Sequence, residues 1–288
     1  MIGWIDTILQ GVLLGGLYAL FALGQSLIFG VMRLTNVAHG DFIVLAAFGA
    51  FALASQAGVG PFGAFAILLP LAVAFGYALQ RLVINDTLGK DPLPSLVVTF
   101  GLSIIIQNVL QEIFSADPRS IPAGELTTAS VQLAGGLAVG TLPLAIFVIA
   151  LAAAAALQWL FARTALGRVF RATSDDRETA ELMGLDARVV YAAATALAFA
   201  LIALAGLLQG MRTTVAPADG PALLIYAFEA VVIGGLGSFW GTFAGSVILG
   251  VTQGIGFRLD PGWGIWLGHV VFLAVLLVRP AGLFPRMR

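Results

Sequence analysis

RTALGRVFRATSDDRETAELMGLDARVV, residues 163–190, is the one long polar interruption in an otherwise apolar chain. It carries Arg163, Arg168, Arg171, Arg177 and Arg188 beside Asp175, Asp176, Glu178, Glu181 and Asp186. That is ten of the chain's 29 Lys, Arg, Asp and Glu residues in under a tenth of its length. Apolar segments long enough to cross a bilayer flank it on both sides. A charged stretch framed in this way is an aqueous loop between membrane helices, and it sets how the rest of the chain is read.

The composition agrees. The chain has 288 residues, of which 60% are hydrophobic and 10% charged, against about 25% charged in a soluble domain. Mean hydropathy is +1.01. The expected class is therefore all-α, a polytopic integral membrane protein. Net charge is −1, so no basic surface points to nucleic acid. There is no cysteine, which excludes disulfides, thiol catalysis and thiolate metal sites. The N-terminus lacks a basic region, and its apolar run continues past signal-peptide length, so no cleavable signal is expected.

A spanning helix needs about 20 mostly apolar residues. Residues 7–30, 37–56, 61–83, 94–114, 141–162 and 190–211 qualify, and shorter or glycine-rich stretches follow at 222–239, 241–257 and 263–279. Eight or nine spans are expected, with a re-entrant segment possible in the last third. The whole chain, 1–288, reads as one transmembrane domain with the 163–189 loop on one side. If that loop is cytoplasmic, alternation places the N-terminus outside and the C-terminus inside. Eleven of 14 basic residues are then cytoplasmic, including Arg33, Arg81, Lys90, Arg279, Arg286 and Arg288; only Arg119, Arg212 and Arg258 lie outside. The inverted topology reverses this ratio, against the preference of basic residues for the cytoplasm. The outer loop at 115–140, with Asp117-Pro118, Ile121-Pro122 and Gly135-Gly136, reads as turn-forming. With 212–221 it is either a plain connector or an external face for a partner.

Within the central loop, Asp175 to Leu185 predicts a short helix capped by Ser174, with acidic residues in its first turn. Gly184 is placed to end it. Ala180, Leu182, Met183 and Leu185 give it an apolar surface. Such a helix is either a solvated connector or an element that lies on lipid or docks into a partner's groove. In the fourth span, Ser95, Thr99, Ser103, Gln107 and Gln111 recur every four residues, with Asn108 and Glu112 beside them. Each step advances about 40° past a full turn, so the stripe rotates slowly. It serves interhelical hydrogen bonding or lines a path. His39, near the cytoplasmic start of the second span beside Asn36, Gly40 and Asp41, either fixes a helix start or lies near that path, and His269 reads as a helix-packing or hydrogen-bonding residue. Glu229 and Gln253 are intramembrane polar candidates. Gly234, Gly235 and Gly237 permit a helix break or close packing; without a Walker lysine they are no phosphate loop. Gly241-x-x-x-Gly245 and Gly250-x-x-x-Gly254 fit close helix packing.

Glu178-Thr179-Ala180-x-x-x-Gly184 resembles the Glu-Ala-Ala-x-x-x-Gly coupling loop of ABC importer permeases, with Thr179 in place of Ala. Its flanks, Thr164-x-x-Gly167-Arg168 and Ala172-x-x-Asp175-x-Arg177-Glu178, resemble the branched-chain amino acid permeases of the LivH/LivM type. So do Leu17-Tyr18-Ala19-Leu20, Asn36-Val37-Ala38-His39-Gly40-Asp41, Gly234-Gly235-Leu236-Gly237-Ser238 and Arg279-Pro280-Ala281-Gly282-Leu283-Phe284. The resemblance covers nearly the whole chain.

This resemblance implies a permease subunit of an ATP-driven importer for branched-chain or other hydrophobic amino acids, in the bacterial inner membrane. Asp176, Arg177, Glu178, Thr179, Ala180 and Gly184 would couple it to an ATPase. Asn36, His39, Thr99, Ser103 and Gln107 are candidates for the translocation path. The implied partners are a LivM-like second permease or a second copy, two ABC ATPases, a periplasmic binding protein and membrane lipid. ATP and Mg would bind the ATPase; this chain would bind no cofactor and catalyse no reaction. A urea or short-chain amide importer is the alternative within the class. A passive channel or secondary transporter is the alternative outside it.

Overall fold

The computed structural model describes residues 2–56, 58–89, 91–132 and 137–284. Lys90, Gly135, Gly136, Arg286 and Arg288, used above for topology and turns, lie outside the described residues. In chain order the elements are α1 (Ile2–Met32), α2 (His39–Phe51, continued by a π-helical turn at Ala52–Gln56) and α3 (Gly60–Leu79, continued by a π-helical turn at Gln80–Ile84). Next come α4 (Leu93–Phe114), α5 (Glu125–Thr128), β1 (Ser130–Gln132), β2 (Ala138–Gly140), α6 (Thr141–Arg163), α7 (Ala165–Asp175) and α8 (Arg177–Leu182). The chain ends with α9 (Ala187–Arg212), α10 (Gly220–Gly234), α11 (Phe239–Leu259) and α12 (Trp263–Val278).

Each apolar segment read from the sequence forms helix, but they are not equivalent spans. Five helices are long and apolar enough to cross a bilayer singly: Gly3–Met32, Gly60–Thr87, Leu93–Phe114, Thr141–Arg163 and Ala187–Arg212. α10 and α11 form a pair bent by 117° at their junction, which makes six if the pair counts as one span. His39–Ser55 and Trp263–Val278 are apolar but shorter.

Burial ranks the helices. The best membrane window of α1 is 83% buried and that of α9 is 72%, against 17–22% in α3, α4 and α6. α1 and α9 therefore form the centre. α1 meets α11 through small residues: a Cβ on Gly11 or Gly15 would press on the backbone of Val251 or Val247. In lipid, close backbone approach of this kind supplies the van der Waals contact that replaces a hydrophobic driving force.

The shortness of α2 has a structural cause. After α1 the chain turns at Arg33, which adopts a left-handed φ of 53°, and residues 33–38 run back into the bundle without helix. α2 then starts inside it. His39 Nε2 donates to the carbonyl of Phe21 at 2.8 Å, and Phe21 lies about 16 Å from the end of α1 at 1.5 Å rise per residue. His39, read from the sequence as the start of the second span, thus starts α2 deep in the bundle rather than at the level where α1 ends. Irregular backbone at this depth requires enclosure by protein, and Asn36 and Ala38 are fully buried. α10 starts at the same level, because Gly40 lies directly against Gly220.

Hydrogen bonds sort the loops into two groups. At one end, Ser174 Oγ donates to the Gly30 carbonyl at 2.7 Å, and the amides of Leu283 and Phe284 donate to Ile233 and Gly234, each at 2.9 Å. At the other end, Arg258 Nη1 donates to Gly3 at 2.6 Å, Gln10 reaches Ala138, and Arg119 and Val215 exchange backbone bonds at 2.9 and 2.8 Å. The charged loop thus shares an end with the α10–α11 break and the C-terminal residues. The N-terminus shares the opposite end with residues 115–132, 137–140 and 212–219. The 115–140 stretch, expected as turns alone, also holds α5 and an antiparallel hairpin pairing Ser130 with Gly140 and Gln132 with Ala138.

Candidate functional site

The charged loop folds as two helices. α7 starts at Thr164, whose hydroxyl accepts from Gly167 N at 3.1 Å, and buries Gly167, Phe170 and Thr173, one residue per turn. Ser174 was expected to cap the following helix; instead it lies in the last turn of α7 and bonds to Gly30. The cap is Asp176, in extended conformation with φ −150° and ψ 105°. Its Oδ1 accepts from Thr179 N at 3.1 Å and its Oδ2 from the Thr179 hydroxyl at 2.6 Å. A methyl group at position 179 could not make the second bond. Of the acidic residues expected in the first turn, only Glu178 is there. Arg177 Nε pairs with Glu181 Oε1 at 2.9 Å, which raises the Arg177 pKa.

Gly184 terminates α8. Its φ is +86°; its amide donates to Glu181 at 3.0 Å and the next amide, of Leu185, reaches back to Ala180 at 3.1 Å. This is a Schellman closure. Within α8 only Ala180 is buried, while Leu182 and Met183 are 87% and 80% exposed. Beside the helix lies an open cleft of about 580 Å³, lined by Arg33, Asp176, Arg177, Glu178, Glu181 and Tyr191 among others. The loop is braced into the bundle: Asp186 caps α9 through the amide of Arg188 at 2.9 Å. Asn85 Nδ2 donates to Arg188 O at 3.1 Å, Gln80 to Asn85 at 3.0 Å and Thr195 to Gln80 at 2.8 Å.

The Thr179 hydroxyl and then the Thr179 amide hold the Asp176 carboxyl below its ordinary pKa. Its support of α8 is therefore present above the unfolded value of about 3.9 and is lost as pH falls through the lower folded value. Hydrogen-exchange protection of α8 should fall across that acid window. Asp176→Asn, a good cap that does not titrate, should abolish the pH dependence, and Asp176→Ala should lower protection at every pH. Equal protection in all three proteins would remove Asp176 as the cap.

A second constellation lies inside the bundle and unites all five residues proposed for a path. Asn36 Oδ1 accepts from Ala38 N at 3.0 Å, and Val37 N donates to Thr99 Oγ1 at 3.3 Å. Gln107 Nε2 donates to Asp41 Oδ1 at 2.9 Å and to Ser103 Oγ at 3.1 Å. The α4 stripe is thus the wall against which the 33–38 segment and the start of α2 are fixed. Asn36, His39, Thr99 and Ser103 are buried; Gln107 is half-exposed, and Asn108, Gln111 and Glu112 are exposed. The rotation of the stripe carries it from the interior to the surface. Asn36 Nδ2, His39 Nδ1 and Asp41 Oδ2 are buried without a hydrogen-bond partner.

A third group was missed as a group. Tyr18 donates to Gln253 Oε1 at 2.6 Å and stacks on Tyr226 at 5.0 Å between centroids. Glu229, 3% exposed, pairs with His269 Nδ1. The sequence marked Glu229 and Gln253 singly, as intramembrane polar residues, but no sequence pattern joins them to Tyr18 and Tyr226, which come from two different helices.

Gly235 and Gly237 have φ of 113° and 78°, and Gly234 lies directly against Gly241. The three create the turn between α10 and α11, and Ser238 then caps α11 through Gly241 N at 3.1 Å. Among the described residues no group of three or more His, Asp or Glu side chains could hold a metal ion.

A family model described as "Branched-chain amino acid transport system / permease component" matches residues 7–279. The chain is 28% identical over 299 residues to the high-affinity branched-chain amino acid transport system permease protein BraD of Pseudomonas aeruginosa, covering 98% of this chain and 96% of that one. It is 25% identical over 296 residues, with the same coverage, to LivH of Escherichia coli K12. The fructose import permease protein FrcC of Rhizobium meliloti is 32% identical over 211 residues, 67% of this chain and 58% of FrcC. Among solved structures, PsaBC from Streptococcus pneumoniae in complex with Fab aligns with a TM-score of 0.50 and 15% identity, over 98% of this chain and 97% of that one. That likeness concerns the fold alone.

Proposed function

Because the chain belongs to the permease-component family of branched-chain amino acid ABC transport systems, and is thus a non-catalytic, multi-pass membrane subunit that binds no cofactor itself, we propose that it carries branched-chain or other hydrophobic amino acids inward across the bacterial inner membrane. The N-terminus faces outward and the charged loop and C-terminus face the cytoplasm. α8 seats in a cleft of an ATPase, one of two that bind and hydrolyse ATP with Mg. A binding protein delivers substrate at the 115–140 and 212–219 face, and a second permease, LivM-like or another copy, completes the path.

The observation that carries this reading is α8 itself. A six-residue helix with a capped start and a glycine-closed end, Leu182 and Met183 standing in water, and a base tied to α9 and α3 is built as a lever rather than a connector. Closure of the ATPases pulls on α8, and the Asp186–Arg188–Asn85–Gln80–Thr195 chain passes the displacement to α9, the most buried helix after α1. Asn36, His39, Thr99 and Ser103 then hold the walls of the path in register, and Gln107 is the member that meets substrate. The Gly234–Gly237 turn lets α10 end beside the docking face.

The test is uptake by the complete complex in proteoliposomes, with labelled leucine, isoleucine, valine and phenylalanine in one arm and urea and acetamide in the other. ATP-dependent amino-acid uptake is the expected result. Amide uptake alone would replace the substrate class, and uptake without ATP or the ATPases would make the chain a channel or secondary carrier.

A further inference from the structure

α2 and α10 both begin inside the bundle. Each follows an irregular segment, residues 33–38 and 213–219, and their first turns meet, with Gly40 of α2 directly against Gly220 of α10. From that contact they run apart. α2 runs to the end that carries residues 115–132, where the Phe51 ring lies 5.8 Å from the Arg119 guanidinium. α10 runs to the end that carries the charged loop, where the Gly234 carbonyl accepts from the amide of Phe284 at 2.9 Å. Two half-helices thus point their N-termini at one another at membrane depth. The N-terminus of a helix is equivalent to about half a positive charge, so the junction gathers about one. Neither N-cap side chain offsets it. Ala38 has none to offer, and the Asp219 carboxylate is turned back onto the amide of Ala216 at 2.8 Å.

Asp41 stands at that junction. It lies in the first turn of α2 and is 1% exposed. Its carboxylate packs on Gly220, the first residue of α10, where a Cβ would collide with Oδ1. Among the described residues no Lys, Arg or His side chain pairs with it within 4 Å. Oδ1 accepts from Gln107 Nε2 at 2.9 Å, while Oδ2 has no hydrogen-bond partner. An enclosed carboxylate without a cation is costly on its own. The two helix N-termini stabilise it, and its one negative charge matches their sum. The match holds in reverse. Without the carboxylate, two positive helix ends would face each other across the Gly40–Gly220 contact with no charge between them.

We propose that Asp41 is the shared counter-charge of the two half-helices, a positioning residue that holds α2 and α10 head to head and, through Oδ1, sets the Gln107 amide at the path. The role rests on the transport reading above, not on the substrate class. The experiment uses the full complex in proteoliposomes with Asp41→Asn and Asp41→Ala. It reads ATP-dependent uptake of whichever substrate the wild type carries, so a failure of the amino-acid reading shows in wild type and a failure of this one in the variants. Asp41→Asn keeps the shape and an oxygen for Gln107 but not the charge, and should lower uptake about 10-fold. Asp41→Ala leaves room for a small anion. Formate should restore its uptake where formamide, the neutral molecule of like size, should not, and wild type should respond to neither. Wild-type uptake by Asp41→Asn would overturn the proposal, because shape alone would suffice. Loss in Asp41→Ala that formate and formamide relieve equally, or that neither relieves, would also overturn it, since charge would not be what matters. Preparing Asp41→Ala in each solution covers a failure to assemble: recovery of the complex in formate and not in formamide is the expected result, and recovery in neither overturns the proposal.

Discussion

Gly184→Val should uncouple the permease from its ATPase while leaving it inserted and assembled. The cause is conformational. Nothing lies within 4 Å of a Cβ built on Gly184, so a larger side chain meets no neighbour. The φ of +86° is the obstacle: an L-residue pays about 1–2 kcal/mol in the left-handed region, and a β-branched one suffers most. If valine abandons that conformation, the amides of Gly184 and Leu185 leave Glu181 and Ala180, and the last turn of a six-residue helix opens. Leu182 and Met183, the residues offered to the partner, then lose their fixed position. A penalty of that size corresponds to a factor of about 5–30, so ATP-dependent uptake and substrate-stimulated ATPase should both fall by roughly tenfold. Gly184→Asn should fall between valine and wild type, because asparagine tolerates the left-handed region. Expression and assembly should be unchanged in both, since position 184 is fully in water. Wild-type coupling in Gly184→Val would mean that the shape of α8 is not what the ATPase reads.

The same loop illustrates how much was legible in the sequence. Charge density and flanking hydropathy located it, and Gly184 announced its left-handed stop. The cap was misassigned because Ser174 and Asp176 are both good capping residues and propensity does not rank them. The choice was made by Gly30, whose carbonyl receives Ser174, a contact 144 residues away in the chain. The re-entrant segment at 33–38 left a weaker trace. Asn36-Val37-Ala38-His39-Gly40-Asp41 reads equally well as the edge of a span or as its interior, because hydropathy averages over a window of about 19 residues and six polar or small residues shift it little. Only the bond from His39 to Phe21 gives the depth. The α4 stripe was legible as a stripe, since its period is local; that its partner is the 33–38 segment was not. The Tyr18–Tyr226–Gln253 group lay furthest out of reach, because its members come from α1, α10 and α11, and no local pattern encodes their meeting.

Gly40→Ala tests the level at which α2 and α10 begin. A Cβ on Gly40 would collide with the carbonyl oxygen of Gly220 and come within 2.7 Å of Leu224 N, and a Cβ on Gly220 would enter the Asp41 carboxylate. The atoms struck on α10 are backbone, so no rotamer change relieves them; one helix start must move. Overpacking by a single methyl costs about 1–3 kcal/mol even where side chains yield, and here the displaced elements carry Asp41, which accepts from Gln107 of α4, and the enclosure of Asn36. Gly40→Ala should lower the melting temperature of the purified complex by roughly 5 °C or more and sharply reduce uptake. Gly220→Ala should do the same. Gly101→Ala is the control: nothing lies within 4 Å of its Cβ, and alanine is the better helix former, so this variant should be as stable as wild type. The contrast separates contact from composition, because all three substitutions add the same methyl to a membrane helix. If Gly40→Ala and Gly101→Ala behaved alike, the two helix starts would not touch, His39 would lie nearer the membrane edge, and the chain would cross as a plain series of spans with no irregular segment at its centre.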